Sequence, residues 1–222
     1  MKHYGKLAVG FIAGWFVFVL SASALHLFKN DSNRIGLAVA LAALTPIVVF
    51  WLWFARSEQF RQFALSLNPR ILTLVQSWRI LGFTFVLLEA YGRLPAIFAL
   101  PAGYGDMAIG VTASLVALTL ANPAHRKSFI LWQGLGIADL VMAVSLGTTA
   151  PLLSPHGTPM VLMTVLPLSL VPTFIVPLLL ILHIVCIAQA RGWKSAVENA
   201  RPVARPVQAS ATGGVQSQRR AG

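Results

Sequence analysis

Ionisable and sulfur-bearing side chains are scarce in this sequence of 222 residues. Charged residues make up 10% of the chain, six residues are acidic, and Cys186 is the one cysteine. A single cysteine excludes a disulfide framework and a cysteine-based metal site. The signatures H-E-x-x-H, G-x-S-x-G and the Walker loop are missing, as is an acidic cluster that would hold two metals. The sequence therefore predicts no metal, no cofactor and no catalytic residue, and an enzyme is not the favoured interpretation.

Apolar residues are abundant instead. Hydrophobic residues form 57% of the chain, and the mean hydropathy of +0.75 excludes a water-soluble fold. The formal charge of +11 comes from basic residues that flank apolar runs or lie near the C-terminus. Such a distribution is typical of membrane topology and not of a nucleic-acid surface. The predicted partners are membrane lipids and a small-molecule substrate, with no nucleic acid; the oligomeric state stays open.

Six apolar runs are long enough to cross a bilayer, which takes roughly 20 residues. We predict an all-α polytopic membrane protein, a six-helix transmembrane bundle within residues 1–190, with spans at about 7–28, 35–55, 71–91, 103–121, 129–147 and 161–188. The first run contains a sequence similar to a signal-peptidase site but continues beyond it, which favours an uncleaved anchor. Residues 191–222 are rich in Pro, Gly, Ser, Gln and Arg and predict a disordered, basic cytoplasmic tail.

Two shorter segments complete the predicted fold. Between spans two and three, Phe60, Phe63, Ala64 and Leu67 recur at helical spacing, which predicts a helix on the inner membrane surface. Between spans three and four, residues 94–100 are apolar but too short to cross and are bounded by two prolines. They predict a re-entrant or interfacial segment on the outer side, with a plain interfacial loop as the alternative.

The positions of Lys and Arg predict the orientation. With the N-terminus inside, the inner segments contain Lys2, Lys6, Arg56, Arg61, Arg70, Arg126, Lys127, Arg191, Lys194 and the tail arginines, and the outer segments contain Lys29, Arg34 and Arg93. The positive-inside rule then predicts a protein of the inner (plasma) membrane with both termini in the cytoplasm.

Ionisable residues inside spans are costly, so they mark candidate sites. Arg79 lies nine residues beyond Arg70, and Asp139 lies eleven beyond Ser128. At 1.5 Å per residue both are about 15 Å deep, which predicts an ion pair near the midplane. The alternative is a structural pair that only fixes helix register. Gln76 and Gln133 also match in depth, nearer the inner side.

Spans three, four and five therefore form the predicted polar core, enclosed by the others. On span four, Asp106 begins a stripe of small residues that would let a neighbouring helix approach: Gly110, Ala113, Ala117 and Ala121. We expect Asp106 to meet Arg93 or Glu89 near the outer face. The alternatives are a helix cap at Asp106 and a simple interfacial salt bridge between Glu89 and Arg93.

The favoured interpretation is a small transporter or permease-like protein with an intramembrane site for a small solute or for proton coupling. The predicted site residues are Arg79, Asp139, Glu89, Asp106, Arg93, Gln76 and Gln133. Arg79 would orient an anionic group, Asp139 would carry the proton, and Glu89 with Asp106 would gate the outer mouth. One alternative is an intramembrane enzyme that acts on a lipid or isoprenoid through Asp106 and Glu89. The other is a structural or assembly subunit.

Overall fold

The computed structural model describes residues 2–29, 36–154 and 156–199. Within these ranges the chain is helical and has no strand, and six segments are long and apolar enough to cross a membrane. The helices are α1 (Lys2–Ala24), α2 (Leu37–Arg56), α3 (Glu58–Ser66), α4 (Pro69–Val75), α5 (Phe83–Ala90), α6 (Ala96–Thr119), α7 (Arg126–Leu153) and α8 (Val176–Asn199). The third span, Pro69–Ala90, joins α4 to α5 through a 3₁₀ helix, Gln76–Gly82.

Helix α3 occupies the connection where the sequence predicts a short amphipathic helix. Ser57 Oγ accepts a hydrogen bond from the Phe60 amide at 3.2 Å, so Ser57 caps the N-terminus. The Phe60 ring stacks on Trp53 of α2 with centroids 4.0 Å apart. Gln189 Nε2 of α8 donates to three carbonyls at the end of α3, the nearest being that of Leu67 at 2.8 Å. The apolar face of α3 therefore packs on the bundle, and Gln189 satisfies carbonyls that a helix end leaves free.

The 3₁₀ helix of span three packs closely on α6. Because a 3₁₀ helix has three residues per turn, Gln76, Arg79 and Gly82 lie in one row, and all three are buried. A Cβ atom at Gly110 of α6 would overlap the Ile80 amide nitrogen and stand 2.9 Å from the Arg79 carbonyl carbon. The small-residue stripe predicted on α6 is thus a surface on which span three lies backbone to backbone.

Helix α6 begins at Ala96, so the prediction of a separate re-entrant or interfacial segment before span four is wrong. Residues 96–100 form the first turns of a continuous helix. Pro95 is extended at the N-cap, and Phe98 is buried in the bundle. A proline such as Pro101 predicts a helix boundary in water-soluble proteins. In a membrane bundle it is tolerated inside a helix, because neighbouring helices and local adjustments supply the missing contacts.

The sixth span starts at Val171, later than the predicted residue 161. A π-helical turn, Val171–Ile175, leads into α8. Pro177 has no N–H and cannot donate to the Thr173 carbonyl four residues earlier. Trp15 Nε1 of α1 donates to that carbonyl at 3.1 Å. Trp15 of α1 therefore supplies the hydrogen bond that Pro177 cannot make.

The end of α8 changes one predicted boundary. The helix continues to Asn199, so residues 191–199 are helical and not part of a disordered tail. Residues 200–222 lie outside the described residues, and the disorder predicted for them stays a prediction.

Two apolar layers enclose a polar one. The first layer includes Leu72, Ile109 and Phe129. The second includes Phe85, Phe98 and Ala150. Span three, α6 and α7 each have one ionisable residue that lies in sequence between a member of the first layer and a member of the second. These residues are Arg79, Asp106 and Asp139. The bundle thus brings three charged groups to one level.

We predict that Gly110→Ala destabilises the protein, because the added methyl group meets rigid backbone that must move. Overpacking of this kind costs about 1–3 kcal/mol. The matched control is Gly134→Ala on α7, where a Cβ atom would meet nothing within 4 Å. Replacing that helical glycine should be neutral or stabilising by up to about 1 kcal/mol. Thermal unfolding in detergent measures both variants, and equal stability of the two would contradict the close contact.

Candidate functional site

Arg79 is the centre of the polar layer, and its side chain is 1% exposed. Its Nε donates to Asp106 Oδ1 at 2.7 Å. Nη2 donates to Asp139 Oδ2, which is the ion pair predicted from depth. Nη1 donates to the Gly136 carbonyl at 3.2 Å and to His183 Nε2 at 3.3 Å. One guanidinium therefore binds groups from α6, α7 and α8, and such charge-assisted hydrogen bonds are the strong ones in proteins.

Glycines allow two of these groups to reach Arg79. A Cβ atom at Gly105 of α6 would overlap the carboxylate of Asp139, so this carboxylate lies directly on the α6 backbone. A Cβ atom at Gly136 of α7 would overlap the imidazole of His183, which lies on the α7 backbone in the same way. Any larger residue at either position would push a polar group away from the guanidinium.

His183 is the site residue that sequence reasoning missed. It is completely buried on α8. Because an arginine only donates, His183 Nε2 accepts from Arg79, and Nδ1 then donates to Gln133 Oε1 at 2.5 Å. This tautomer follows from the partners. A lone histidine in an apolar run predicts a packed, hydrogen-bonded residue; its match in depth with Arg79 is the signal that would have pointed to the site.

The hydrogen bonds continue from His183 toward the predicted inner side. Gln133 Nε2 donates to Thr73 Oγ1 at 3.0 Å, and Thr73 donates to the Pro69 carbonyl at 2.8 Å. Each donor in this chain points away from Arg79, so the geometry leaves His183 neutral and keeps the positive charge on the guanidinium. Gln76 Nε2 donates to the Leu179 carbonyl at 3.2 Å.

Three predicted site residues, Gln76, Glu89 and Arg93, make no hydrogen bond to the groups around Arg79 in the described part of the chain. Asp106 contacts Arg79 and not Glu89 or Arg93, so the predicted contact at the outer face is wrong. Glu89 and Arg93 form no salt bridge with each other among the residues that the structure describes. Arg93 is exposed and lines a separate depression of about 560 Å³ between span three and the segment before α8. The polar core therefore contains spans three to six and not three to five.

A cavity of about 230 Å³ adjoins the cluster. Its walls come from α2, α5, α6, α7 and the segment that leads into α8, and most of the lining side chains are apolar. Asp106 is the ionisable residue among the described residues that line it. The other polar lining groups, Thr148 and Thr164, donate their hydroxyl protons to carbonyls of their own segments. The site thus has a charged floor at Asp106 and apolar walls.

Comparison with known proteins gives one family. The family described as Domain of unknown function (DUF8737) matches residues 33–191, which is more than half of the chain. The matched range starts after α1 and contains every residue of the Arg79 cluster. No curated protein and no solved structure matches the chain.

We predict that Arg79→Leu strongly destabilises the protein, because it leaves two buried carboxylates without their cation. Breaking a buried ion pair from one side costs about 3–5 kcal/mol. Adding Asp106→Asn and Asp139→Asn to that variant should restore much of the stability, since no buried charge then remains. Arg93→Leu is the matched control, and its exposed position predicts a change within about 0.5 kcal/mol. Unfolding in detergent distinguishes these cases; a single variant as stable as the wild type would show that the ions are not coupled.

Proposed function

We propose that this chain, which belongs to the DUF8737 family, is a small transporter or permease-like membrane protein whose coupling site is the cluster of Arg79, Asp106 and Asp139. One observation carries the proposal: a single buried guanidinium is shared by two carboxylates, one of which lines a cavity. Charged groups within membrane spans usually face such cavities, partners or ion pathways.

The net charge of the cluster supports coupling between solute movement and proton movement. Arg79 carries one positive charge, the two carboxylates carry two negative charges when ionised, and His183 is neutral by its hydrogen bonds. The cluster is then one positive charge short of neutrality. An uncompensated charge in a low-dielectric interior costs several kcal/mol, so a proton or a cationic solute is favoured there. A proton and a cationic solute that compete for this one site are the basis of exchange transport.

The depth of Asp106 favours transport over lipid chemistry. Asp106 is the eleventh residue of α6, so it lies about 15 Å from the start of the helix. An enzyme that acts at headgroup level would need Asp106 and Glu89 near the membrane surface. The lipid-enzyme alternative predicts a product when the purified protein meets a lipid extract, which mass spectrometry detects. The structural-subunit alternative predicts that function survives when both Arg79 and Asp139 become leucine.

We propose that the protein lies in the inner (plasma) membrane with both termini in the cytoplasm, because basic residues of the described helices concentrate at the end of the bundle that holds α3: Arg56, Arg61, Arg70, Arg126, Lys127 and Arg191. Lys29 and Arg93 lie at the opposite end. The prediction is tested by reporter fusions after Gly92 and after Asn122. Alkaline phosphatase should be active after Gly92 and inactive after Asn122, since the positive-inside rule keeps the second connection inside. The reverse pattern would invert the proposed orientation.

We predict that Asp139→Asn abolishes proton-coupled movement of solute. The remaining Arg79 and Asp106 form a neutral pair, so the site no longer requires a proton. Purified protein in liposomes that contain a pH-sensitive dye would be challenged with a panel of small charged solutes. The wild type should move protons with at least one of them, and the variant should be slower by about a hundredfold or more, the scale of a lost proton-transfer group.

Glu89→Gln is the matched control for that experiment, since it removes a carboxylate that lies in the membrane-spanning part of the chain but outside the cluster. Its proton movement should equal that of the wild type. Unchanged coupling in Asp139→Asn would remove Asp139 from the mechanism, and a wild type that moves no protons with any solute would reject the proposed function.

A further inference from the structure

The cavity beside Asp106 has the chemistry of a binding site for one class of molecule. Its apolar walls include Phe85, Phe98 and Leu140, and Met160 and Met163 also line it. The charge on its surface comes from Asp106. A ligand that fits must therefore have an apolar body that contacts the walls. It must also have a group that complements the carboxylate of Asp106.

The two oxygens of Asp106 are not equivalent. Oδ1 accepts from Arg79 Nε, and Oδ2 accepts no hydrogen bond from the described part of the chain. The side chain is 16% exposed, against 1% for Arg79, so the carboxylate and not the guanidinium is accessible from the cavity. A positively charged group that donates a hydrogen bond to Oδ2 would satisfy this oxygen and neutralise the cluster.

The walls are suited to a cation as well as to an apolar group. The rings of Phe85 and Phe98 lie 5.6 Å apart at a tilt of 52°. Aromatic faces attract a nearby ammonium group, and methionine side chains adapt their shape to a ligand. An anion would meet the charge of Asp106 without a compensating donor, because Arg79 does not line the cavity and its side chain is 1% exposed. Four of its five N–H groups already donate to Asp106, Asp139, Gly136 and His183.

The volume limits the size of the ligand. An apolar protein cavity of about 150 Å³ holds benzene, and this cavity measures about 230 Å³. One six-membered ring with a short aminoalkyl group is therefore a suitable size, and a complete phospholipid is far too large. We propose that the cavity binds a small protonated amine with an apolar body, whose ammonium group donates to the Asp106 carboxylate. This inference rests on the proposed transport function, for which it names the substrate class.

Three probes of one shape test the proposal: cyclohexylmethylamine, cyclohexylmethanol and cyclohexanecarboxylate. They carry a cation, a neutral hydroxyl and an anion on the same ring. Full-length protein in lipid nanodiscs would be titrated with each by calorimetry, with empty nanodiscs as the correction for partition into lipid. We expect the amine to bind about tenfold or more tightly than the alcohol, and the carboxylate not to bind.

Two pairs of variants separate charge from shape. Asp106→Asn should remove the preference for the amine while the affinity for the alcohol stays within about threefold. Glu89→Gln should change neither. Ala143→Leu fills the cavity from α7 and should weaken both compounds alike. Ala138→Leu, at an exposed position of the same helix, is its control.

The wild-type comparison of the three probes decides the matter even if a variant fails to fold. Equal affinities for amine and alcohol, or an Asp106→Asn protein that keeps the preference, would overturn the proposal. Amine binding without amine-dependent proton movement in liposomes would retain the site and reject the transport function. Proton movement with another solute, in the absence of amine binding, would retain the transport function and reject the amine.

Discussion

The burial of one guanidinium determines how the middle of this bundle is built. A guanidinium only donates hydrogen bonds, so Arg79 must find anions and acceptors inside the bundle. Four spans meet around it, since span three provides the arginine and α6, α7 and α8 provide its partners. The close approach that this requires accounts for Gly105 and Gly136, where any Cβ atom would occupy the place of a polar group. Apolar packing above and below the polar layer then excludes water and strengthens these interactions.

The sequence predicts how deep a residue lies in the membrane where the ends of its span are clear, and fails where a proline obscures the start of the span. The six spans and the contact between Arg79 and Asp139 follow from run lengths and from the rise per residue. The sequence predicts the wrong depth for Asp106, because this depth depends on where α6 begins. A start at residue 103 puts it at the outer face, whereas the true start at Ala96 puts it about 15 Å deep, level with Arg79. One proline, Pro101, therefore changes the predicted partner of the most accessible carboxylate in the cluster.

His183 shows a different limit of sequence reasoning. Hydrophobicity alone does not tell a packed histidine from one that completes an arginine site, because both lie in apolar runs. The distinction is made by Gly136 on another helix, which leaves room for the imidazole. Pro167, Pro172 and Pro177 also obscure the true start of the sixth span, and with it the match in depth between His183 and Arg79. A contact between residues that are far apart in sequence, such as Gly136 and His183, becomes visible in the assembled bundle. Neither residue predicts that contact alone.

The two sides of the cluster differ in a way that bears on its use. Toward the predicted inner side, the hydrogen bonds from Arg79 through His183, Gln133 and Thr73 are complete, with donors all pointing one way. This chain of hydrogen bonds holds the guanidinium in place, and each of its acceptors receives a proton from the next group toward Arg79. Asp106, which lines the cavity, has one carboxylate oxygen that accepts no hydrogen bond from the described part of the chain. A structural ion pair needs one carboxylate for one arginine, and burial of a second acid adds a desolvation cost. The second carboxylate, that of Asp106, lines the cavity and is therefore the feature on which the proposed binding site rests.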